Sequence, residues 1–349
     1  MRIIGTNDLE KMELNVNGAS ALMKCYLCGR DNLGVIRTKL RYDVFRDVLR
    51  CQDCGITYLK PKDVDMKNYY NKNYRKLYTP IIGKTLSARE IFNFYLPYQQ
   101  ERIDEIKHIL NPKMKVLDIG CSTGHFLYAM RDYVQECIGI EFNREDARFT
   151  NEELGIKTYT EPIQDTDIPL EYFDLVTVSQ VLEHIDDPIG FLTTIYNYMK
   201  PDGFLYIEVP NIRDALIFVY NIESYADFWF REPHVFYFSP ETLSMVLERS
   251  GFSGATKTVQ GYNFINHINW ILTGNPQESV DNGMSKPMLI NSESVNPIIR
   301  TEFNNWIQEV DKEYKQLLNK HNLGENIIFI GKKANRGHDL GSLHKSGAY

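Results

Sequence analysis

The chain of 349 residues is 43% hydrophobic and 24% charged, a composition typical of a globular protein with one large domain and a smaller module. Its net charge of -7 argues against binding to nucleic acid through the phosphates. No segment approaches the roughly 20 apolar residues of a membrane span. The N-terminal stretch has too short an apolar run and too many acids for a signal peptide, so we expect a cytoplasmic location.

Four of the six cysteines form a pattern near the N-terminus. Cys25 and Cys28 are followed, after a gap of 22 residues, by Cys51 and Cys54, and a glycine suited to a tight turn follows each pair. Two such knuckles supply four thiolates for a tetrahedral metal ion, and a cytosolic chain does not rely on disulfides. The pattern predicts a structural zinc site on a ribbon module at residues 1–66. The alternatives are two redox pairs or four unrelated buried thiols.

A connector that ends in helices is expected at residues 67–114. Three tyrosines in its first part have the spacing of one helix face: Tyr70, Tyr74 and Tyr78. They would dock the ribbon on the main domain or reach a bound ligand. Ser87 is followed three residues later by an acid, which is a capping-box signature. Pro97 is expected to break the helix that begins there.

Short apolar runs alternate with amphipathic stretches over residues 115–334. Strands are predicted at "KVLDIG", "ECIGIE", "IKTYT", "FDLVTVS", "GFLYIEV", "GATKTVQ" and "NIIFIGKK", and helices at 123–132, 144–154, 188–200 and 239–250. Strands that alternate with helices form βαβ units, so we expect an α/β fold with a doubly wound, mostly parallel, seven-stranded sheet. Residues 261–325 are interpreted as an insertion with helical ends, and residues 335–349 as a flexible tail.

A glycine-rich turn follows the first of these strands. In "VLDIGCSTGHF", Gly120 and Gly124 allow the backbone to approach a ligand closely, and the amides that open the next helix favour a negative group. The second strand ends in "GIEFN", so Glu141 lies at its tip, where an acid binds ribose hydroxyls. Together these features predict a ribose-containing ligand. The alternative is a tight turn beside a solvated acid.

Three segments together resemble the class I S-adenosylmethionine-dependent methyltransferases over roughly residues 90–260: "VLDIGCSTGHF", "GIEFN", and the stretch from "FDLVTVSQVLEHIDDP" to "YMKPDGFLYIEVPN". The resemblance implies S-adenosylmethionine as the cofactor, with its ribose on Glu141. It also implies the wider set of cofactor-binding residues: Asp118, Gly120, Cys121, Ser122, Gly124, Glu141, Phe142, Glu161, Pro162, Ile163, Ser179 and Gln180. Ser122 replaces the usual middle glycine of the loop.

The cysteine module, together with "HVFYFS" late in the chain, is similar to sugar methyltransferases with an N-terminal zinc module. Some of these methylate carbon in nucleotide-linked deoxysugars, and relatives are associated with surface polysaccharides. In the carbon methyltransferases a histidine before a similar aromatic sequence is the general base, which implies that role for His234. Glu232 and Pro233 depart from the pattern. The chain after Gly261 is too short for the further Rossmann-like domain of those enzymes, which favours the relatives that methylate oxygen.

The chemistry of such a reaction asks for a base. A sulfonium already activates its methyl group, so the protein mainly aligns the attack and removes a proton. A hydroxyl acceptor needs a base with a near-neutral pKa, and histidine fits best. His234 and His184 are the candidates, with a packing role as the alternative for each. The aromatic segment 217–230 is either a sugar-stacking wall or lid, or buried packing.

The sequence therefore favours methyl transfer from S-adenosylmethionine to a hydroxyl of a sugar, either nucleotide-linked or within a glycan. The alternatives are a sugar C-methyltransferase, an RNA or protein methyltransferase that uses the ribbon for recognition, and a non-catalytic binding protein of the same fold. The acidic balance and the lack of a sustained basic stripe count against a nucleic-acid partner. The sequence leaves open the acceptor atom, which histidine is the base, and the oligomeric state.

Overall fold

The structure is a computed structural model that describes residues 23–61 and 84–334. The first part of the predicted ribbon, the tyrosine-rich start of the connector with its three spaced tyrosines, and the predicted tail lie outside the described residues. Within the two described ranges, no helix has the length and apolar character needed to cross a membrane.

The strands and helices follow one another along most of the described chain. The strands are β1 (Leu33–Leu40), β2 (Val44–Cys51), β3 (Thr57–Leu59), β4 (Lys115–Ile119), β5 (Glu136–Ile140), β6 (Thr158–Tyr159), β7 (Phe173–Ser179), β8 (Met199–Pro210), β9 (Phe236–Tyr237), β10 (Phe252–Val259) and β11 (Asn326–Lys333). The helices are α1 (Ala88–Tyr95), α2 (Gln99–Ile106), α3 (His125–Met130), α4 (Arg144–Leu154), α5 (Pro188–Tyr198), α6 (Ala215–Phe218), α7 (Glu223–Trp229), α8 (Pro240–Arg249), α9 (Phe264–Thr273), α10 (Val280–Met284) and α11 (Pro297–Lys320).

The larger sheet has seven strands in the order β10-β11-β8-β7-β4-β5-β6. The pairs among β8, β7, β4, β5 and β6 are parallel, whereas β11 is antiparallel to both of its neighbours. The predicted α/β fold with a mostly parallel, seven-stranded sheet is therefore confirmed. The last strand, β11, lies between β8 and β10 and not at the edge of the sheet. This interior position explains why "NIIFIGKK" is so apolar.

The sheet is buried on both faces. Val116 and Leu117 are neighbours on β4 and point to opposite faces, as do Leu175 and Val176 on β7. All four side chains are fully buried, and each pair divides between the two main apolar clusters. Helices therefore cover both faces, which is why the strands are continuous apolar runs rather than alternating ones.

The helix ends agree with most of the local signals. The side chains of Ser87 and Glu90 form the predicted capping box at α1, and Pro97 lies in the short turn that separates α1 from α2. The helix predicted to reach residue 200 ends at Tyr198 instead. Met199 already pairs with β7, and Pro201, two residues on, has no N–H to extend a helix.

The smaller sheet joins the N-terminal module to a distant segment. Its strand order is β1-β2-β3-β9, and β9 comes from "HVFYFS". Thr57 is paired with Tyr237 in antiparallel register, and the Leu59 N–H donates to the Val235 carbonyl at 2.8 Å. The module is thus hydrogen-bonded to the backbone immediately after His234.

Candidate active site

The glycine-rich turn between β4 and α3 is held in a left-handed conformation. Gly120 has φ of 75° and Gly124 has φ of 71°, and Ser122 between them has φ of 49°. A Cβ atom on Gly120 would lie 2.3 Å from Cγ2 of Val181, so only glycine fits there. Because the turn is tight and lacks side chains at both ends, its backbone is open to a ligand at the carboxyl end of β4.

Glu141 joins this turn to the tip of β5. One carboxylate oxygen accepts from the Ser122 N–H at 2.9 Å, and the other accepts from the Asn143 N–H at 2.7 Å. These two bonds set the orientation of the carboxylate, whose oxygens can each accept more than one hydrogen bond. The left-handed Ser122 is the residue whose amide makes the first bond, so the departure from glycine preserves the backbone geometry. The arrangement can accept hydrogen bonds from a ribose.

Asp118 lies beneath the turn at the end of β4. Its carboxyl group is buried and accepts from the Thr177 hydroxyl at 2.7 Å. Burial raises the pKa of Asp118 to about 7, although the Thr177 hydrogen bond and the charge of Arg102 both lower it. Arg102 comes from α2 and donates to Glu208 on β8 at 2.9 Å. This partly buried ion pair, whose two residues line the cavity described below, was not predicted from the sequence.

These groups line a single cavity of about 1630 Å³. The predicted cofactor residues that line it are Asp118, Gly120, Cys121, Ser122, Glu141, Phe142, Pro162, Ile163, Ser179 and Gln180. Gly124 and Glu161 are not part of the lining. Gly124 forms the N-cap of α3 and packs near Thr150, and the Glu161 carboxylate accepts from the neighbouring Thr160 N–H at 3.1 Å. Their cofactor role remains a prediction.

Both candidate histidines line the same cavity. His184 ends the turn after β7, and His234 precedes β9, so chain segments far apart in sequence bring them together. Their rings meet edge to face, with centroids 4.7 Å apart. The His184 Nδ1 lies 2.7 Å from the Pro233 carbonyl oxygen, which can only accept. This contact assigns the proton of neutral His184 to Nδ1 and leaves a lone pair on Nε2.

Glu183 lies beside the two rings and was missed by the sequence analysis. Its Oε1 is 3.6 Å from the His184 Nε2 and 4.0 Å from the His234 Nε2. Burial raises the pKa of Glu183 to about 8. Burial also lowers the pKa of His184 to about 4, and that of His234 well below its usual value. Both imidazoles are therefore neutral near pH 7. The signal for Glu183 was an acid adjacent to a candidate base directly after a buried strand.

An aromatic wall also lines this cavity. It is formed by Tyr225 and Phe228 of α7 and by Trp270 of α9. The centroid of the Trp270 ring lies 4.8 Å from that of Tyr225 and 5.2 Å from that of Phe228. The Arg41 guanidinium, from the N-terminal module, lies 3.8 Å from the centroid of Phe228. Part of the aromatic segment 217–230 thus lines the cavity, and the module contributes a cation to it.

The four N-terminal cysteines lie together where β1 begins and β2 ends. Their sulfurs all lie within 4.8 Å of one another, with Cys25–Cys54 at 3.6 Å and Cys28–Cys51 at 3.5 Å. A tetrahedral zinc ion with bonds of about 2.3 Å places its sulfurs about 3.8 Å apart. The thiols are free, and the glycine after each knuckle has positive φ, 73° and 80°. The donor set fits zinc.

Part of the chain is similar in sequence to known methyltransferases. Residues 90–257 match the family model described as a methyltransferase domain. The mitochondrial ubiquinone biosynthesis O-methyltransferase of Bos taurus is 29% identical over 175 residues, which cover 45% of this chain and 46% of that protein. The enzyme of the same name from Actinobacillus pleuropneumoniae serotype 7 (strain AP76) is 32% identical over 122 residues, covering 32% of this chain and 52% of that one. The chain thus spans about half the length of these curated relatives.

A solved structure of a SAM-dependent methyltransferase from Archaeoglobus fulgidus is similar with 22% sequence identity and a TM-score of 0.46, over 70% of this chain and 97% of that one. The matched family range contains the glycine-rich turn, Glu141, both histidines and the parallel part of the sheet. Residues 90–257, slightly less than half of the chain, are thus similar to the methyltransferase domain family.

Proposed function

We propose that the chain transfers the methyl group of S-adenosylmethionine to a hydroxyl oxygen of a small-molecule acceptor. The observation that carries the proposal is that one cavity contains both the turn with Glu141 and the pair His184–His234. A cofactor-binding turn alone would suit a binding protein. Buried neutral imidazoles in the same cavity add the means to act on an acceptor.

The roles of the residues follow from their positions. S-adenosylmethionine, when bound, supplies a methyl group on a positively charged sulfur. Glu141 accepts hydrogen bonds from the ribose, and Asp118 lies under the methionine part. Phe142, Pro162 and Ile163 line the adenine side with apolar surface. The chain's further task is to hold an acceptor hydroxyl in line with the methyl group and remove its proton, for which His234 and His184 are the candidate bases.

For the acceptor we propose a sugar, nucleotide-linked or part of a glycan. The wall of Tyr225, Phe228 and Trp270 offers flat apolar surface for a ring, and Arg41 beside it offers donors for a phosphate or hydroxyl. Oxygen is favoured over carbon because the similar curated proteins are named O-methyltransferases. Those names refer to ubiquinone biosynthesis, so a phenolic acceptor is the second candidate, and the same aromatic wall would accommodate it.

The four cysteines are proposed to bind one structural zinc ion. Their mutual spacing fits a tetrahedral thiolate site, and four protein ligands leave no open position for a reactant. The role of the ion would be to hold the knuckles and the strands β1 to β3, which contact the acceptor side of the cavity through β9.

The cofactor assignment is tested by calorimetry with S-adenosylhomocysteine. We expect the wild-type chain to bind one equivalent and Glu141→Ala to abolish detectable binding, because the variant loses the carboxylate that accepts from the ribose. Glu136→Ala is the matched control, since Glu136 opens the same strand at its other end and pairs with Tyr172. Unchanged binding in Glu141→Ala would refute the placement of the ribose.

The acceptor assignment is tested by methyl uptake from labelled S-adenosylmethionine. Nucleotide sugars, glycan fragments and phenolic quinone precursors are offered separately, and the product is identified by mass spectrometry and NMR. A new methyl ether on a sugar is the expected product. An ether on a phenol would replace the sugar by the second candidate, and a new carbon–methyl bond would contradict oxygen transfer.

A further inference from the structure

Two groups of potential metal ligands occur in the described part of the chain. One is the four-cysteine cluster, and the other is Glu183, His184 and His234, whose ligand atoms all lie within 4.8 Å of one another. The second group lines the cavity that holds the cofactor turn. We infer that Glu183, His184 and His234 bind a divalent transition-metal ion, such as Mn²⁺ or Zn²⁺, that contacts the acceptor.

The spacing of the three side chains suits a shared ion. The Glu183 Oε1 lies 3.6 Å from the His184 Nε2 and 4.0 Å from the His234 Nε2. These separations are too long for direct hydrogen bonds. Ligand bonds of about 2.0 to 2.2 Å place neighbouring ligand atoms roughly 3 to 4 Å apart. An ion between the carboxylate and the two rings therefore needs little movement of the side chains.

Polar atoms of Glu183 and His234 lack hydrogen-bond partners among the described residues. Glu183 is 1% exposed, and neither carboxylate oxygen has a hydrogen-bond partner within that part of the chain. His234 is 3% exposed, and its Nδ1 also has no hydrogen-bond partner within that part of the chain. Buried polar groups are nearly always satisfied, because leaving one without a partner is costly. An ion held by the Glu183 Oε1 and the two Nε2 atoms would give the carboxylate a partner, although it would not reach the His234 Nδ1.

The orientation of His184 is that of a prepared ligand. Its Nδ1 proton is held by the Pro233 carbonyl at 2.7 Å, so the Nε2 lone pair points toward Glu183. Metal-binding histidines usually donate their second N–H to a carbonyl or carboxylate in this way. Because Pro233 directly precedes His234, the same bond also sets the distance between the two ligand segments.

Ligand type and number indicate a catalytic rather than a structural ion. Two imidazoles with one carboxylate suit first-row transition metals, and imidazole favours them over Mg²⁺ and Ca²⁺. Three protein ligands leave at least one position open, as in catalytic sites, whereas the four cysteines leave none. The open position faces the cavity, because all three ligands line it.

The role of the ion deepens the proposed function and rests on it. A hydroxyl bound at the open position would release its proton to solvent water, because the metal lowers the pKa of a coordinated O–H. The alkoxide oxygen then forms the new O–CH₃ bond while the methyl–sulfur bond breaks, and that electron pair stays on sulfur. In this scheme the metal ion promotes loss of the proton from the hydroxyl. His234 is then a ligand of that ion and not the general base.

The test uses Mn²⁺ alone as the probe, because thiolate sites select softer ions than Mn²⁺. Electron paramagnetic resonance of free Mn²⁺ is followed while the full chain is added, and zinc content is measured in the same samples. We expect one Mn²⁺ site per wild-type chain, with affinity reduced at least about tenfold in Glu183→Gln and in His184→Asn. His108→Asn, which removes an exposed histidine of the turn after α2, should bind as the wild type does.

Calorimetry with S-adenosylhomocysteine on the same variants separates ligand loss from misfolding and from failure of the proposed function. Weakened Mn²⁺ binding with unchanged S-adenosylhomocysteine binding supports the inference. A wild-type chain that binds S-adenosylhomocysteine, takes up no Mn²⁺ and holds one zinc ion overturns the metal site and leaves the proposed function standing. Mn²⁺ binding without S-adenosylhomocysteine binding supports the metal site but refutes the cofactor assignment and the role built on it.

Discussion

Glu325 is a single residue whose pKa is changed by its burial in the cavity. It lies just before β11, lines the cavity, and accepts from the Gly261 N–H at 2.9 Å. Burial raises the pKa of Glu325 to about 8, with a further increase from the charge of Asp214. The Gly261 amide and Lys315 lower it. The folded chain therefore binds a proton at this carboxyl group in a pH range where the unfolded chain has released it.

The stability of the chain should depend on pH through this group. A raised folded-state pKa stabilises the fold most below the unfolded pKa of about 4.5, and that contribution is lost progressively as the pH rises to about 8. Glu325→Gln removes this dependence, so its free energy of unfolding should fall less between pH 5 and pH 8.5 than that of the wild type. Urea unfolding at several pH values measures the difference. Glu309→Gln, an exposed position on α11, is the control, and equal pH profiles for all three chains would contradict the assignment.

At the scale of elements, the helices α1 and α2 tie one side of the cavity to the sheet. Gln99 and Arg102 of α2 line the cavity, and Arg102 pairs with Glu208 on β8. The capping signal of α1 and the break at Pro97 were readable from the sequence because both act within a few residues. The end of α5 was not, because the pairing of Met199 with the neighbouring strand overrides the local helical pattern.

Loss of the α1 cap should lower stability without altering the site. Ser87→Ala removes the side-chain bond to the Glu90 N–H, and a lost N-cap costs about 0.5 to 2 kcal/mol. Urea unfolding should show a decrease of that size, with S-adenosylhomocysteine affinity retained. Ser253→Ala, at an exposed position of β10, should cost less. An equal loss in the two variants would mean that the cap contributes nothing of its own.

At the scale of the whole molecule, the cysteine module is docked against both histidine segments. Tyr26, between the first two cysteines, donates to Asp187 at 2.6 Å, three residues after His184. Its ring also meets that of Phe236, with centroids 5.0 Å apart, and β3 pairs with β9 just after His234. The glycine-rich turn follows β4, which is the strand adjacent to β7. The module should therefore position the acceptor side more than the cofactor side.

Loss of the proposed zinc ion should impair methyl transfer without weakening cofactor binding. Cys28→Ser removes one thiolate, and we expect reduced zinc content with S-adenosylhomocysteine affinity close to that of the wild type. Methyl transfer should fall about a hundredfold, as expected from misplacement of reacting groups by about 1 Å. Cys137→Ser, outside the cluster, controls for thiol loss. A parallel decrease in cofactor affinity would indicate general unfolding, and full turnover would remove the link between the module and the site.

The sequence by itself determined the features that depend on neighbouring residues: the alternation of strands and helices, the glycine-rich turn, the acid at the tip of β5, and the paired cysteine knuckles. Only the tertiary structure decided that His234 lies beside His184 and that β9 joins the sheet of the module. These contacts connect residues distant in the chain, and no local pattern specifies which segments meet. Glu183 escaped the sequence analysis because burial turns an ordinary acid into a potential ligand, and burial is a property of the assembled fold.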